Sequence, residues 1–469
     1  MLTANDSEKL EDKSLQAAAP ELLAGDLRPG VFIKTYGCQM NAYDSEKLLK
    51  LVEPNYRQVA SPAEADLVLI NTCSVRDKPE QKVYSLIGEM HELKLQNPKL
   101  MLGVGGCVAQ QEGETIIKRS KDVDFVFGTH NLSLVPSLIE GRKQGLPPQV
   151  AVNYREDWEE LPAGFVQTDK VSVFVSISRG CNKNCSYCVV PNTRGKEVSR
   201  SREEIKREVR LAAHRGAREV TLLGQTVNSY GLDLNPRFSF VALLQEISEI
   251  PGIERIRFTS PHPAEIREDF VDLVCSNPKI CHHVHMPLQS GSDTILKAMN
   301  RNYRRSRYLK IIESLKTRVP DMGITTDIIV GFPGETEQDF LQTVEMLELV
   351  RFDSTFSYIY SARPGTVAQD LTDMPEAIKL ERLQRYQTRQ NEINSEIIDS
   401  WIGKQVEVLV EGPSSIDALL MKGRTSQNLT FNFDAASPLV KPGAILKARV
   451  TSRGRYTLRG EPLSINDQK

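Results

Sequence analysis

After a polar opening, the chain settles into short apolar runs separated by longer polar stretches. VFIKTYGC begins at Val31, ADLVLINTC ends at Cys73 and KLMLGVGGC ends at Cys107, so three apolar runs each close on a cysteine. The intervening segments, from Asp44 and from Lys78 to Lys94, are polar and long enough to be helices. Strands alternating with helices of roughly ten residues or more pair in parallel through right-handed crossovers, with both sheet faces covered. Their carboxyl ends share one edge, where such sheets bind ligands, and this carries Cys38, Cys73 and Cys107 toward a common point. FVFG, Phe125 to Gly128, predicts a further strand, and the Gly-, Pro- and charge-rich stretch from Gly141 to Glu160 reads as a linker.

A second alternation runs from VSVFVSISRGC to about Ala368. Its strand candidates are VSVFVSIS, EVTLLGQ, RIRFTS, HHVHMPLQS, GITTDIIVGF and FSYIYS, with helical stretches such as Ser201 to Arg215 and Ser306 to Arg318 between them. Six such units predict a closed or partly closed parallel (β/α)6 barrel. From about Trp401 the runs QVEVLVEG, LTFNF, AILKARVTS and RYTLRG predict a small all-β barrel built from hairpins, joined to the preceding barrel by a helical segment from Pro375 to Ser400. The fold class is α/β, divided into a mobile leader (1–28), an N-terminal parallel α/β domain (29–145), a linker (146–166), the barrel core (167–398) and the C-terminal barrel (400–463).

Composition narrows the classes of function. A hydrophobic share of 40% and a charged share of 26% are ordinary for a globular protein. A net charge of -2 means that any nucleic-acid site must be a local patch. Runs such as Leu67 to Ile70 and Ile328 to Phe332 fall far short of the ~20 residues of a membrane helix. The polar, acidic start lacks the character of a secretory signal, so the expectation is a cytoplasmic protein with no membrane association. Cytoplasmic thiols stay reduced, so the eight cysteines point to metal ligation or catalysis rather than to disulfides.

Cys181, Cys185 and Cys188, in CNKNCSYC, follow the first barrel strand with C-x3-C-x2-C spacing. Three thiolates on one loop can hold three irons of a cubane cluster and leave the fourth open. The competing zinc knuckle needs a fourth ligand, and the next histidine, His214, lies far along a predicted helix. Cys38, Cys73 and Cys107 also lack a local fourth ligand, so a second cluster with an open iron fits them, against the alternative of three small buried core thiols. Cys275 and Cys281 belong to neither set; they read as core or solvent thiols, or as a zinc site with His282, His283 or His285.

The C-x3-C-x2-C loop at the mouth of a parallel barrel resembles the radical S-adenosylmethionine superfamily over about Val171 to Ala368. That resemblance implies a 4Fe-4S cluster on Cys181, Cys185 and Cys188, with the open iron chelating the amino and carboxylate groups of S-adenosylmethionine. It also implies cofactor contacts at three strand ends: Gly224 and Gln225 of GQT toward the amino group, Gln289 and Ser290 of QSGS toward the ribose or carboxylate, and Ile329 and Gly331 of IVGFPGET toward the adenine. Turn glycines and helix caps explain each of these motifs as well when taken singly.

TYGCQMNAYDSEK, NTCSVR, GVGGCVAQ, RGCNKNCSYCVVPNTRGKEVSR, LLGQTVNSYG and MPLQSGSDTILKAMNR together resemble the methylthiotransferases, from about residue 30 to the C-terminus. TYGCQMN, CVVPNTRG and GRTSQNLTFNF are similar to the MiaB type, which makes 2-methylthio-N6-isopentenyladenosine in tRNA. The C–H bond at C2 of adenine is neither acidic nor electrophilic, so a radical route is required. By the family mechanism the Cys181/Cys185/Cys188 cluster donates an electron that breaks the cofactor to a 5'-deoxyadenosyl radical. An auxiliary 4Fe-4S cluster on Cys38, Cys73 and Cys107 presents the sulfur, and a second S-adenosylmethionine methylates it. The partners implied are tRNA with an isopentenylated adenosine beside the anticodon, an external electron donor, and a sulfur donor or cluster-repair carrier; nothing requires more than a monomer. Sister branches act on threonylcarbamoyladenosine in tRNA or on an aspartate of a ribosomal protein. A reading from another class is a non-catalytic iron-sulfur RNA-binding protein, which would need both clusters fully ligated.

The C-terminal barrel resembles the RNA-binding TRAM module. Arg194 and Lys196, with Arg200 and Arg202, follow the cluster loop, and Arg424, Arg449, Arg453 and Arg455, with Lys441, Lys447 and Arg459, lie in the last barrel. Phosphate neutralisation explains both groups, and a solvated charged face explains the first equally well. Phe431, Phe433 and Tyr456 are either stacking platforms or half-buried barrel residues. For a flipped target base, Tyr36, Asn41, Asn228 and Tyr230 are the candidates beside the strand ends.

Overall fold

Strand β3 (Leu67–Thr72) is buried at every position, as a parallel strand covered on both faces must be. Its side chains divide by alternation. Val68 and Ile70 pack with Leu86, Ile87 and Met90 on one side, while Leu67 and Leu69 pack with Val31, Leu48 and Leu138 on the other. With β1 (Gly30–Thr35), β2 (Arg57–Gln58), β4 (Met101–Gly106), β5 (Phe125–Phe127) and β6 (Gln149–Ala151) it forms an all-parallel sheet ordered β2-β1-β3-β4-β5-β6. The computed structural model describes residues 26–74, 79–155, 158, 170–414, 417, 419–434 and 439–463. The expected leader lies outside the described residues through residue 25, as do 156–157 and 159–166 of the expected linker.

That linker needs correction at its start. Gln149–Ala151 is the sixth strand, registered on β5 with Phe125 opposite Gln149 and Phe127 opposite Ala151. Three residues after a Pro-Pro pair carry too little periodicity to announce a strand; pairing with β5 supplies what the local sequence does not. The glycines of β4 have a clear packing reason. A Cβ built on Gly103 would stand 2.3 Å from the Phe125 ring, and one on Gly105 would stand 2.1 Å from the Phe127 ring, so the two phenylalanines occupy the space that side chains on β4 would need.

The chain forms two compact units: Met1–Val166 with Arg179–Asn182 and Val189–Val198, and Gln167–Ser178 with Lys183–Cys188 and Ser199–Lys469. In the second, β7 (Ser172–Ser176), β8 (Glu219–Leu223) and β9 (Arg255–Phe258) form one parallel sheet, and β10 (His283–His285), β11 (Gly323–Val330) and β12 (Ser354–Ile359) another. A parallel bridge from Ile256 to Ile280 links them, with Ile256 N–H donating to Lys279 O at 2.7 Å and Cys281 N–H to Ile256 O at 3.0 Å. The six strands thus follow one another in chain order as a partial barrel, as the alternation predicts. Ser201, Ser239 and Ser292 cap the helices that follow them, and Thr336 and Asp339 form a capping box.

The last domain is a closed barrel of β13 (Gln405–Pro413), β14 (Leu420–Thr425), β15 (Thr430–Asp434), β16 (Ile445–Arg453) and β17 (Thr457–Pro462), around a core of Val408, Val410, Phe431, Phe433, Ala448 and Leu458. Strand β14 was not among the predicted runs. Its sequence LMKGRT is only half buried, so it lacks the apolar alternation that marked its neighbours. Arg255 donates to Arg424 O at 2.6 Å and Glu407 O at 3.1 Å, and Arg257 to Thr425 O at 2.6 Å and Ser426 O at 3.1 Å, fastening this barrel to the floor of the (β/α)6 barrel. Among the described residues no helix is long and apolar enough to cross a membrane.

Gly105→Ala is expected to destabilise the protein by about 1–3 kcal/mol through overpacking against Phe127. Gly88→Ala, at an exposed helix position where an added Cβ meets nothing within 4 Å, is expected to raise stability by up to about 1 kcal/mol. Urea unfolding of the two variants beside the parent separates these opposite signs.

Candidate metal centres and cofactor contacts

The register of the N-terminal sheet sets the level at which its cysteines leave it. Thr35 pairs with Asn71, Asn71 with Gly105 and Thr72 with Gly106, so Cys73 and Cys107 depart β3 and β4 side by side. Cys38 lies just past β1 as the N-cap of the helix Gln39–Val52. A buried polar network holds these ends. Asn41 Nδ2 donates to Thr72 O at 2.9 Å and to Asn71 Oδ1 at 3.2 Å, while Asn71 Nδ2 donates back to Asn41 O and to Ser45 Oγ, each at 2.9 Å. Thr72 Oγ1 donates to Gly105 O at 2.6 Å and accepts from Val108 N–H at 3.1 Å. Gly106 has φ +91, and a Cβ there would stand 2.3 Å from Thr72 O, so only glycine lets the chain turn from β4 into the helix that begins at Cys107.

Asn41 is fully buried and serves this lock, which corrects its reading as a target-base contact. Arg194 requires a larger correction. It is 5% exposed, and its Nη2 donates to Asp44 Oδ2 at 2.8 Å, so it cannot reach a phosphate on the surface. Its charge acts on Cys107 and Cys38 instead. Burial pushes the Cys107 thiol up, and the guanidinium beside it opposes that shift. Burial also works against the charge on Arg194, but Asp44 and the two cysteines outweigh it and hold the guanidinium ionised.

Cys181 N–H donates to Gly195 O at 3.1 Å within the first unit. In the second unit the segment Asn184–Cys188 is clamped by the end of a neighbouring helix. Ser186 N–H donates to Met299 O, Ser186 Oγ to Ala298 O, and Asn300 Nδ2 to Asn184 O. Arg301 Nη1 stands 3.6 Å from Cys185 Sγ while its Nη2 donates to Pro287 O at 2.8 Å. A buried guanidinium against a thiol suits a ligand that carries negative charge. Sequence reasoning quoted Arg301 inside a motif without giving it a role, and no local pattern announces a partner 116 residues away.

Two of the three cofactor motifs come together. Gln289, at φ 74, donates its N–H to Asp327 O at 2.8 Å and accepts from Ile329 N–H at 2.9 Å. Ile329 packs with Tyr187, from between two of the cysteines, against Ile295, Met299 and Phe332. Gly331 N–H donates to Glu335 Oε1 at 3.0 Å. Ser290 is corrected: its hydroxyl is fully buried against Thr343 and accepts from Ser292 N–H, so it serves the fold. Gly224 lies against Ser178. Ser178 Oγ and Gln225 Oε1 are buried with no partner among the described residues, and two orphaned acceptors at the ends of neighbouring strands suit a donor such as a ligand amino group.

Tyr230 and Asn228 are structural as well. Tyr230 is buried with its hydroxyl on Arg200 O, and Asn228 exchanges hydrogen bonds with the His262 backbone. Tyr36 is half-buried and donates its N–H to Asn71 O. Phe431 and Phe433 are fully buried and cannot stack on RNA. Of the basic set in the C-terminal barrel, Arg424 is bound to Glu411 and Arg453 to Asp399, whereas Arg449 and Arg455 are exposed, as is Lys196 in the first unit. None of the eight cysteines is in a disulfide, and among the described residues no three His, Cys, Asp or Glu side chains converge as a single ion would require. A cubane holds its thiolates farther apart than one ion does.

Residues 175–347 match the radical SAM superfamily, and residues 30–128 match the uncharacterized protein family UPF0004. The chain is 47% identical over 436 residues to the tRNA-2-methylthio-N(6)-dimethylallyladenosine synthase of Geobacter metallireducens, covering 92% of this chain and 98% of that protein. Proteins of the same name from Nitrosospira multiformis (44% identical, covering 93% of this chain and 94% of that one) and Paraburkholderia xenovorans (43%, covering 93% and 98%) are similarly related. Among solved structures, the radical S-adenosylmethionine methyltransferase TsrM from Kitasatospora setae, with tryptophan substrate and a cofactor analog bound, superposes with a TM-score of 0.53 at 14% identity, covering 73% of this chain and 75% of that one. That likeness concerns the fold alone.

Two histidines near these centres give a pH dependence. Burial, with the charges of Arg301 and Lys183 adding to it, lowers the pKa of His262 to about 3, and burial with Arg179 lowers that of His130 to about 4, both from 6.5. Between these values and 6.5 the unfolded chain binds protons that the folded chain refuses, so stability rises with pH through that window and is lost as pH falls through it. His262→Asn, which keeps an acceptor for Ala264 N–H, is expected to flatten the slope by an amount on the order of a few kcal/mol across the window. Urea unfolding at a series of pH values measures it.

Proposed function

Since the chain belongs to the tRNA-2-methylthio-N(6)-dimethylallyladenosine synthases, within the radical SAM superfamily, we propose that it replaces the C2 hydrogen of N6-isopentenyladenosine beside the anticodon of tRNA with a methylthio group. Enzymes of this superfamily use S-adenosylmethionine and a 4Fe-4S cluster, and the fuller reading is two clusters and two S-adenosylmethionine molecules per turnover. When bound, the cluster on Cys181, Cys185 and Cys188 supplies the electron that cleaves the cofactor, and the one on Cys38, Cys73 and Cys107 supplies the sulfur. The observation that carries the two-site reading is the set of three neighbouring parallel strands, each leading into one cysteine of the N-terminal triad, with Cys107 against a buried guanidinium.

The chain's own residues divide the remaining work. Arg301 balances charge at Cys185, and Gln225 and Ser178 offer acceptors for the amino group of the cofactor. The Asn41–Asn71 lock keeps the N-terminal triad at one level. Arg449 and Arg455 offer exposed charge for tRNA phosphates, with Lys196 a further exposed cation after the cluster loop. An external reductant and a sulfur donor or cluster-repair carrier complete the cycle, in a monomer working in the cytoplasm.

The test is an anaerobic reaction of reconstituted protein with S-adenosylmethionine, reductant and isopentenylated tRNA, read by nucleoside mass spectrometry. The parent is expected to form the methylthio nucleoside. Cys107→Ala is expected to form 5'-deoxyadenosine without methylthio product, and Cys185→Ala to form neither. A parent that cleaves the cofactor but leaves this tRNA unmodified would sink the substrate assignment. Arg449→Ala with Arg455→Ala is expected to weaken tRNA binding and to reduce the slope of log affinity against log salt by about 2, measured by filter binding at several salt concentrations.

A further inference from the structure

We propose that Arg194 is a positioning residue for the N-terminal cysteine triad: a fixed, buried cation on its Cys38 and Cys107 side that sets the reduction potential of the cluster the triad carries. The proposal rests on the two-site reading above. It replaces the phosphate-binding role that burial removes from this residue.

Three observations within the first unit carry it. The first is placement. Arg194 ends the short helix Val190–Arg194, whose carbonyls are pinned by side chains from elsewhere: Thr129 Oγ1 donates to Thr193 O at 2.7 Å, and the Tyr154 hydroxyl donates to Asn192 O. The guanidinium is therefore delivered by fixed backbone rather than by a swinging loop. The second is the balance of charge. Burying a guanidinium is costly unless it is paired. Asp44, on the helix that Cys38 caps, takes one of the five donors of that guanidinium, and the helix that begins at Cys107 packs against the helix that Arg194 ends, so the remaining donors lie on the cysteine side of the pair. Three thiolates carry more negative charge than one arginine cancels, so the iron that joins them completes the neutralisation.

The third observation is independent of Arg194. Ser74, next to Cys73, is 2% exposed, and its Oγ has no partner among the described residues. An unpaired buried hydroxyl beside a ligand cysteine marks room for a polar or charged group that the side chains do not supply. A cluster sulfide is such a group. A positive charge beside a cluster favours its reduced, more negative form, so removing Arg194 moves the potential downward.

The experiment uses the full chain carrying Cys181→Ala, Cys185→Ala and Cys188→Ala, so that only the N-terminal triad can hold iron. Each protein is reconstituted with ferrous iron and sulfide, its iron is counted, and the midpoint potential is read by a redox titration followed by electron paramagnetic resonance. Arg194→Gln is expected to shift the potential negative or to lose the cluster outright, and Arg194→Lys to restore most of either effect, a rescue that a purely structural role would not give. Should Arg194→Gln fail to fold, Arg194→Gln with Asp44→Asn removes both charges and strands no carboxylate, and a smaller negative shift is expected. Equal iron and equal potential in a folded Gln variant overturn the proposal and leave the two-site reading standing. A protein with Arg194 intact that takes up no iron at the N-terminal triad overturns both.

Discussion

Parallel strands end at one level only when their register is fixed at the edge, and here the reciprocal hydrogen bonds between Asn41 and Asn71 fix it. The two amides join the helix that follows β1 to the last residues of β3, and Thr72 passes the same constraint to β4 through Gly105 O and Val108 N–H. Each of these groups is buried, so each unmade bond would cost about 1–3 kcal/mol. A slip of one residue would exchange the side chains of β3 between its two packed faces and break the amide exchange together, so packing and polar pairing enforce the same register. The positions of Cys38, Cys73 and Cys107 follow from that agreement.

Charge burial is the second recurrent theme. Arg194, Arg257 and Arg301 are each nearly enclosed, and each lies beside a carboxylate or a thiol: Asp44, Glu219 and Cys185 respectively. Arg200 is likewise enclosed against Glu208. Arg194, Arg257 and Arg301 each reach a partner far away in sequence, so the contact ties tertiary structure together where an apolar one would carry no orientation.

The cysteine-bearing strands were legible because VLINT and its neighbours are apolar runs ended by a cysteine, and the (β/α)6 alternation was legible because its apolar runs are separated by polar stretches of helical length. Arg57–Gln58 and Gln149–Ala151 were not, since two or three residues on a sheet edge carry no periodicity of their own. The cysteine sets could be picked out by spacing and by strand-end position, while their surroundings could not. A sequence displays the charge on Arg194, Arg424 and Arg453 but not the Asp44, Glu411 and Asp399 that meet it, and two of those partners come from distant segments. The same blindness applied to Asn41 and Tyr230, polar residues beside a candidate site that turn out to hold backbone. Phe431 and Phe433 were legible only as an even choice, because alternation in a barrel strand does not say which face is core.

The joint between the two barrels of the second unit has a different character from the ion pairs. Arg255 and Arg257 reach across it chiefly to main-chain oxygens of residues 407 and 424–426, and His282 donates its own N–H to Ser426 Oγ. Every residue type presents the same carbonyl. The turn that receives the two guanidiniums can therefore drift in side-chain identity without loosening the mount, while the arginines themselves cannot. Selection is free to retune the outer surface of the small barrel for different nucleic-acid shapes, and the handle by which it is held stays the same.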